Sequence, residues 1–166
     1  MTSIIKVDTI QTSAGGTPTA SSLGISGTGK IGQVVGVSTT TRHTTSSTSF
    51  TAVSDMSLSI TPTSASSKIY LTAMQTIGIP PAGGYKSRIT IFRNGTNING
   101  NDNGMASIFN DTSGNVVTIP MIFLDSPATT SAITYQIYFK SPDGTTISYN
   151  NDSGSTSTFQ AMEVLA

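Results

Sequence analysis

Met56-Ser57-Leu58-Ser59-Ile60 places an apolar side chain at every second position with serine between, and Ile69, Leu71 and Ala73 repeat the pattern after a turn over residues 62–67. Period-two alternation marks a strand with one face in a core and one outside it. Thr39-Thr40-Thr41-Arg42-His43-Thr44-Thr45 lies just upstream, and about a third of the whole chain is serine or threonine. Threonine is β-branched and stiff at χ1, so a hydroxyl-rich outer face remains strand-compatible without charge. The chain reads as all-β with a nearly uncharged surface.

Outward from this stretch, strands recur at sandwich spacing with turn residues between them. Gly32-Gln33-Val34-Val35-Gly36-Val37 opens the series. Asn94-Gly95 is a type I′ hairpin signal, because both central positions need φ > 0, so residues 96–98 should run antiparallel to residues 89–93. Residues 105–109 form a short strand. Residues 116–124 are more continuously apolar, as in a central strand, although Pro120 argues for a bulge or an edge. Ile133, Tyr135, Ile137 and Phe139 share one face, and Ser141-Pro142-Asp143-Gly144 is a type I turn. Strands over 145–150 and 156–165 close a domain of about eight to ten strands. Two packed antiparallel sheets of jelly-roll type are the expected architecture.

Residues 1–30 differ. Ile4, Ile5, Val7 and Ile10 form one strand-like start, followed by a Gly/Ser/Thr/Pro segment in which Leu23 and Ile25 are isolated apolar residues. Such a segment cannot bury enough apolar surface to offset its ordering entropy. The expected organisation is an extended N-terminal arm, 1–30, and a β-sandwich domain, 31–166.

Composition excludes several functions. Eight basic and eight acidic residues among 166 give no electrostatic footprint for nucleic acid or an anionic membrane. Cysteine is absent, so there is no disulfide, thiolate metal site or thiol nucleophile. No apolar run approaches the roughly 20 residues of a spanning helix, and residues 1–6 lack the apolar core of a secretory leader. Membrane insertion is not expected.

Catalytic candidates are weak. His43 is the single histidine, and no Gly-x-Ser-x-Gly elbow supplies it with a nucleophile. Asp102, Asp111, Asp143 and Asp152 each sit in an Asn/Asp/Gly turn, where such side chains cap their own backbones. Glu163 is the single glutamate, with no carboxylate partner for glycosidase chemistry. Gly27-Thr28-Gly29-Lys30 resembles a fragment of a phosphate loop but lacks its upstream glycine and following helix. Tyr70, Tyr85, Phe92, Tyr135, Tyr138 and Tyr149 could stack on sugars, against the plainer reading of core aromatics. No catalytic, cofactor-binding or metal-ligating residue is assigned, and the chain is expected not to be an enzyme.

Ser3-Ile4-Ile5-Lys6-Val7-Asp8-Thr9-Ile10-Gln11 resembles the N-terminus of small virion proteins of tailed phages, notably those infecting cyanobacteria and other aquatic bacteria. Gly32-Gln33-Val34-Val35, Leu58-Ser59-Ile60-Thr61-Pro62, Ser66-Ser67-Lys68-Ile69, Ile91-Phe92-Arg93-Asn94-Gly95-Thr96, Asp125-Ser126-Pro127 and Ala161-Met162-Glu163 extend the similarity over most of the chain. The resemblance implies a tail-fibre or other virion structural protein, assembled in the host cytoplasm, with a homotrimeric sandwich head anchored by its N-terminal segment. Ile4, Ile5, Val7 and Ile10 would then add a strand to a virion partner, with Leu23 and Ile25 as later anchors. Outer loops over residues 80–86, 99–104, 110–115 and 150–155 would face the medium and meet a host-surface glycan or protein. The alternative is a decoration protein that cements the capsid.

Overall fold

A computed structural model describes residues 11, 15–17, 29–80, 85–110, 114–150 and 155–166. The anchoring candidates Ile4, Ile5, Val7, Ile10, Leu23 and Ile25 lie outside the described residues, as do Asp111 and Asp152.

Eleven strands form two antiparallel sheets: β1 (Ile31–Thr39), β2 (His43–Thr45), β3 (Thr51–Ile60), β4 (Lys68–Ile79), β5 (Tyr85–Arg93), β6 (Thr96–Asn97), β7 (Ala106–Asn110), β8 (Asn115–Asp125), β9 (Ile133–Lys140), β10 (Ile147–Tyr149) and β11 (Ser157–Val164). Several pieces are continuations of one another. β10 and β11 lie end to end along β4, and β2 and β1 lie end to end along them. β6 and β7 likewise share one edge of β5.

Joining these pieces leaves eight effective strands in chain order. One sheet, sheet A, runs first (β1/β2), eighth (β10/β11), third (β4), sixth (β8); sheet B runs second (β3), seventh (β9), fourth (β5), fifth (β6/β7). That order is a jelly roll, in which two Greek keys wrap the sheets around one core. The expected fold class is what the chain adopts.

The alternating residues make that core. Met56, Leu58 and Ile60 from β3, Ile69, Leu71 and Ala73 from β4, and Ile133, Tyr135, Ile137 and Phe139 from β9 are all buried. Asn94 and Gly95 have φ of 48° and 80°, the left-handed pair of a type I′ turn, and β6 returns along β5 with Arg93 opposite Thr96. The turn at residues 141–144 also forms, its Gly144 N–H donating to the Ser141 carbonyl at 3.1 Å.

Three expectations need correction. Residues 116–124 belong to an edge strand, because among the described residues β8 pairs only with β4 and places Pro120 opposite Met74; the edge reading of Pro120 holds over the central-strand one. The threonine run contains a strand, β2, with no apolar alternation to announce it. Residue 150, expected in a loop facing the medium, is buried. Asn150 donates its backbone N–H to the Thr76 carbonyl and its side-chain amide to the Thr39 carbonyl, and accepts from the Ser157 hydroxyl at 2.6 Å. Its φ of 50° turns the chain between β10 and β11.

Candidate functional site

The acidic groups mostly close the sandwich. Along β3 the ladder advances from Ala52 to Ser57 while β9 advances only from Tyr138 to Gln136. This irregularity re-aims the intervening side chains. Asp55 thereby reaches His43 of β2, with Nε2 to Oδ1 at 2.6 Å, and accepts a hydrogen bond from the Thr39 hydroxyl. Burial opposes ionisation of Asp55, but the Thr39 hydrogen bond and the His43 charge outweigh it and hold its pKa below the ordinary value. The pair links sheet A to sheet B, and no serine hydroxyl bonds His43 among the described residues.

Glu163 is buried on β11. Gln33 Nε2 donates to it at 2.7 Å, and the Thr63 N–H and hydroxyl donate at 2.7 and 2.8 Å. Burial alone would raise its pKa; the donors from Gln33, Thr63 and Ser67 instead pull it from 4.5 down to about 2. The carboxylate therefore pins the turn between β3 and β4 to the end of sheet A. A folded pKa below the unfolded one gives stability that is fully present above the unfolded value and is lost as pH falls toward the folded value. Glu163→Gln is expected to cost about 2 kcal/mol near neutral pH, because charge-assisted acceptors are replaced. It should also flatten the loss of stability between pH 4.5 and about 2. Urea titrations repeated at stepwise lower pH check this: parallel wild-type and variant profiles would contradict it.

Two of the aspartates expected to cap their own turns, Asp102 and Asp143, do other work. Asp102 is bonded to the Lys140 ammonium and lies 3.6 Å from Arg88. The hydrogen bond and charge of Lys140 keep its pKa low. Asp143 accepts from the Lys86 N–H at 2.8 Å. Local capping falls to asparagine: Asn97 Oδ1 accepts from the Asn99 N–H, and Asn101 Oδ1 from the Asn103 N–H. Among the described residues no three His, Cys, Asp or Glu side chains converge as a metal would require. Gly29 and Lys30, half of the phosphate-loop fragment, are tied by backbone hydrogen bonds to Leu165.

Tyr135 and Tyr149 are fully buried, and burial pushes both phenols well above their ordinary range. The sugar-stacking reading fails for them. Phe92 and Tyr138 stack with centroids 3.9 Å apart on the outside of sheet B, with Phe50 edge-on to Phe92. Lys140 lies over Phe50, and the Asp102 ion pairs cover that side of the sheet.

The outer face of sheet A is different. Register places Leu124, Tyr70, Met162 and Val34 side by side across four strands. The next rows carry Ile122, Thr72, Gln160 and Gly36, then Pro120, Met74, Thr158 and Ser38. Ile122 is 64% exposed, Val34 56% and Met74 52%. Of the charged side chains on these four strands, Asp125 and Glu163 are buried, leaving Lys68 as the one exposed charge. With strands about 4.8 Å apart and same-face residues about 6.7 Å apart, the three rows span about 14 Å each way. Sequence reasoning missed this surface. Its signal was residues 116–124, which are apolar at both parities: Val117, Ile119, Met121 and Phe123 turn inward, and Val116, Ile122 and Leu124 outward.

No protein-family model and no curated protein matches the chain. Among solved structures, a mutant VP2 protein of infectious bursal disease virus in derived T=1 particles overlaps with a TM-score of 0.38 at 11% identity, over 81% of this chain and 36% of that one. The structure of the Gx strain of the same virus overlaps with a TM-score of 0.36 at 12% identity, over 82% of this chain and 39% of that one. The chain thus spans little more than a third of the proteins it matches. Overlaps this loose carry no functional argument; the all-β jelly-roll class rests on the strand order itself.

Proposed function

We propose that the chain is a structural subunit of a tailed-phage virion, a trimeric appendage anchored to the particle through residues 1–30. The observation that carries the reading is the apolar outer face of sheet A. Ile122, Leu124, Val34 and Met74 are exposed on it, and Lys68 is the one exposed charge on its four strands. An edge strand with water on one face would alternate, whereas β8 is apolar toward both sides.

The occupant is a second copy of the chain. The face has almost no charge, and the chain as a whole is neutral, so copies can approach without desolvating ions or meeting like charge. A patch of about 200 Å² is the core of an interface that buries about 800 Å² per partner, the remainder coming from a polar rim. Thr72, Thr158, Ser38 and Gln160 lie within the patch and supply hydroxyl and amide groups that can hydrogen-bond across it. Pro120 on the edge disfavours strand-to-strand extension, so association runs through side-chain packing, and closure around a threefold axis has this face of each copy meet a different surface of its neighbour.

The ends of the sandwich also suit an appendage. Residues 29 and 30 bond Leu165, next to the Val164–Lys68 end of the sheet. Gly78 lies ten residues along β4, about 33 Å away at strand rise. Residues 29 and 30 therefore sit at one end of sheet A and Gly78 toward the other. Antibody-gold labelling of the sandwich on intact particles tests the reading. Label at the tail is expected, label across the head would make the chain a capsid cement protein, and unlabelled particles would end the virion assignment.

A further inference from the structure

The Gly78 end of sheet A holds a cavity of about 240 Å³. It follows from one residue. Alternation turns position 78 of β4 outward, where glycine leaves a gap between its register neighbours Val116 on β8 and Ser148 on β10. Ile79, Pro80 and Val116 give the gap apolar walls, Thr146 and Ser148 border it with hydroxyls, and Arg42 closes one side.

Arg42 is held in position. Its Nε and Nη2 both donate to the Ser148 hydroxyl oxygen, at 3.3 and 2.8 Å. A guanidinium carries five N–H donors, so most of the fork stays available. Arg88, Arg93 and Lys140 each pair with an aspartate; among the described residues Arg42 pairs with no carboxylate. An oriented guanidinium without a counter-ion, beside a small apolar gap edged by hydroxyls, matches a ligand with a planar anion on a compact polyol.

We propose that this cavity binds a carboxylated monosaccharide unit of the uronic-acid type. The carboxylate meets the Arg42 fork, a C–H face of the ring lies against Pro80 and Val116, and ring hydroxyls reach Thr146. The volume is below the roughly 300–1,000 Å³ of sites for drug-sized ligands, so it accepts one ring and not a chain of them. The site is built within one chain and stands whether or not chains assemble.

Isotope-labelled full-length protein titrated with sodium glucuronate, glucose and sodium acetate at constant ionic strength tests this, with backbone amide shifts as the readout. Glucuronate is expected to shift the amides of Gly78, Val116 and Ser148 saturably. Glucose, lacking the anion, and acetate, lacking the ring, should each bind about tenfold more weakly or worse. Arg42→Ala should abolish the glucuronate response with an unchanged thermal midpoint, since Arg42 is exposed, and Gly78→Val should block it by filling the gap. Equal responses to glucuronate and glucose, an Arg42→Ala variant that binds as the wild type does, or no saturable shift at millimolar glucuronate would each overturn the proposal. None of these outcomes bears on the assembly reading, which the mass of the particle in solution decides.

Discussion

Ile122→Lys is expected to dissolve the proposed trimer into folded single chains. Ile122 is the most exposed large apolar side chain among the described residues, at 64%. In an isolated chain a substitution there should change stability by no more than about 0.5 kcal/mol. Within the proposed interface it would place an ammonium in an apolar row with no carboxylate to meet it, a loss of about 2 kcal/mol or more at each contact. Each 1.4 kcal/mol is a factor of ten, so three contacts together weaken assembly by at least about 10,000-fold. Phe109→Lys is the control. Phe109 is 60% exposed but lies on β7 of sheet B, and its substitution should leave the mass unchanged. Sedimentation velocity with circular dichroism separates dissociation from unfolding. Assembly that survives Ile122→Lys would place the interface elsewhere.

Asp125→Ala should be among the most damaging single changes to the fold. Asp125 ends β8 in sheet A and accepts hydrogen bonds from Arg93 of β5 at 2.9 and 2.8 Å and from the Tyr135 hydroxyl of β9 at 2.5 Å. It therefore joins the two sheets at one end of the sandwich. Tyr135 is 0% exposed, so removal of its acceptor strands a buried phenol at about 1–3 kcal/mol. Arg93 is 35% exposed and can turn to water, so its lost ion pair adds less. The expected total is about 3 kcal/mol, or a fall of about 6–12 °C in thermal midpoint for a domain of this size. Tyr135→Phe, which leaves the Arg93 pair intact, should cost about 1 kcal/mol. The double variant should cost less than the two single losses added together, because no phenol remains to be stranded. Calorimetry on the four proteins checks this; an Asp125→Ala midpoint within a degree of wild type would contradict the account.

What could be read in advance was whatever local chemistry dictates. Alternation in β3, β4 and β9 reports which side chains enter the core, and Asn94-Gly95 carries its turn geometry in its own backbone preferences. β2 was hidden because His43 and Thr45 earn their place through pairing with Tyr149 and Ile147, a hundred residues away in the chain. Gln75 was hidden for a related reason: it is buried because it accepts from the Tyr149 phenol and donates to the Thr158 carbonyl at 3.1 Å. Burial of polar groups depends on partners, and partners are set by topology.

The roles of the carboxylates were closed to sequence in the same way. Nothing local joins Glu163 to Thr63 or Asp125 to Arg93. β8 carries a different lesson. Its apolar residues at both parities were read as burial between neighbouring strands, but the strand lies at an edge. Continuous apolarity signals two dry faces without saying what dries the second. Pro120 argued for the edge, and together the two features point to an interface.

The most direct test of the account is the mass of the wild-type protein in dilute solution, by sedimentation equilibrium across the micromolar range. Three chains per particle is the predicted result. A single-chain mass at every concentration would contradict the claim that the outer face of sheet A is covered by copies of the same chain.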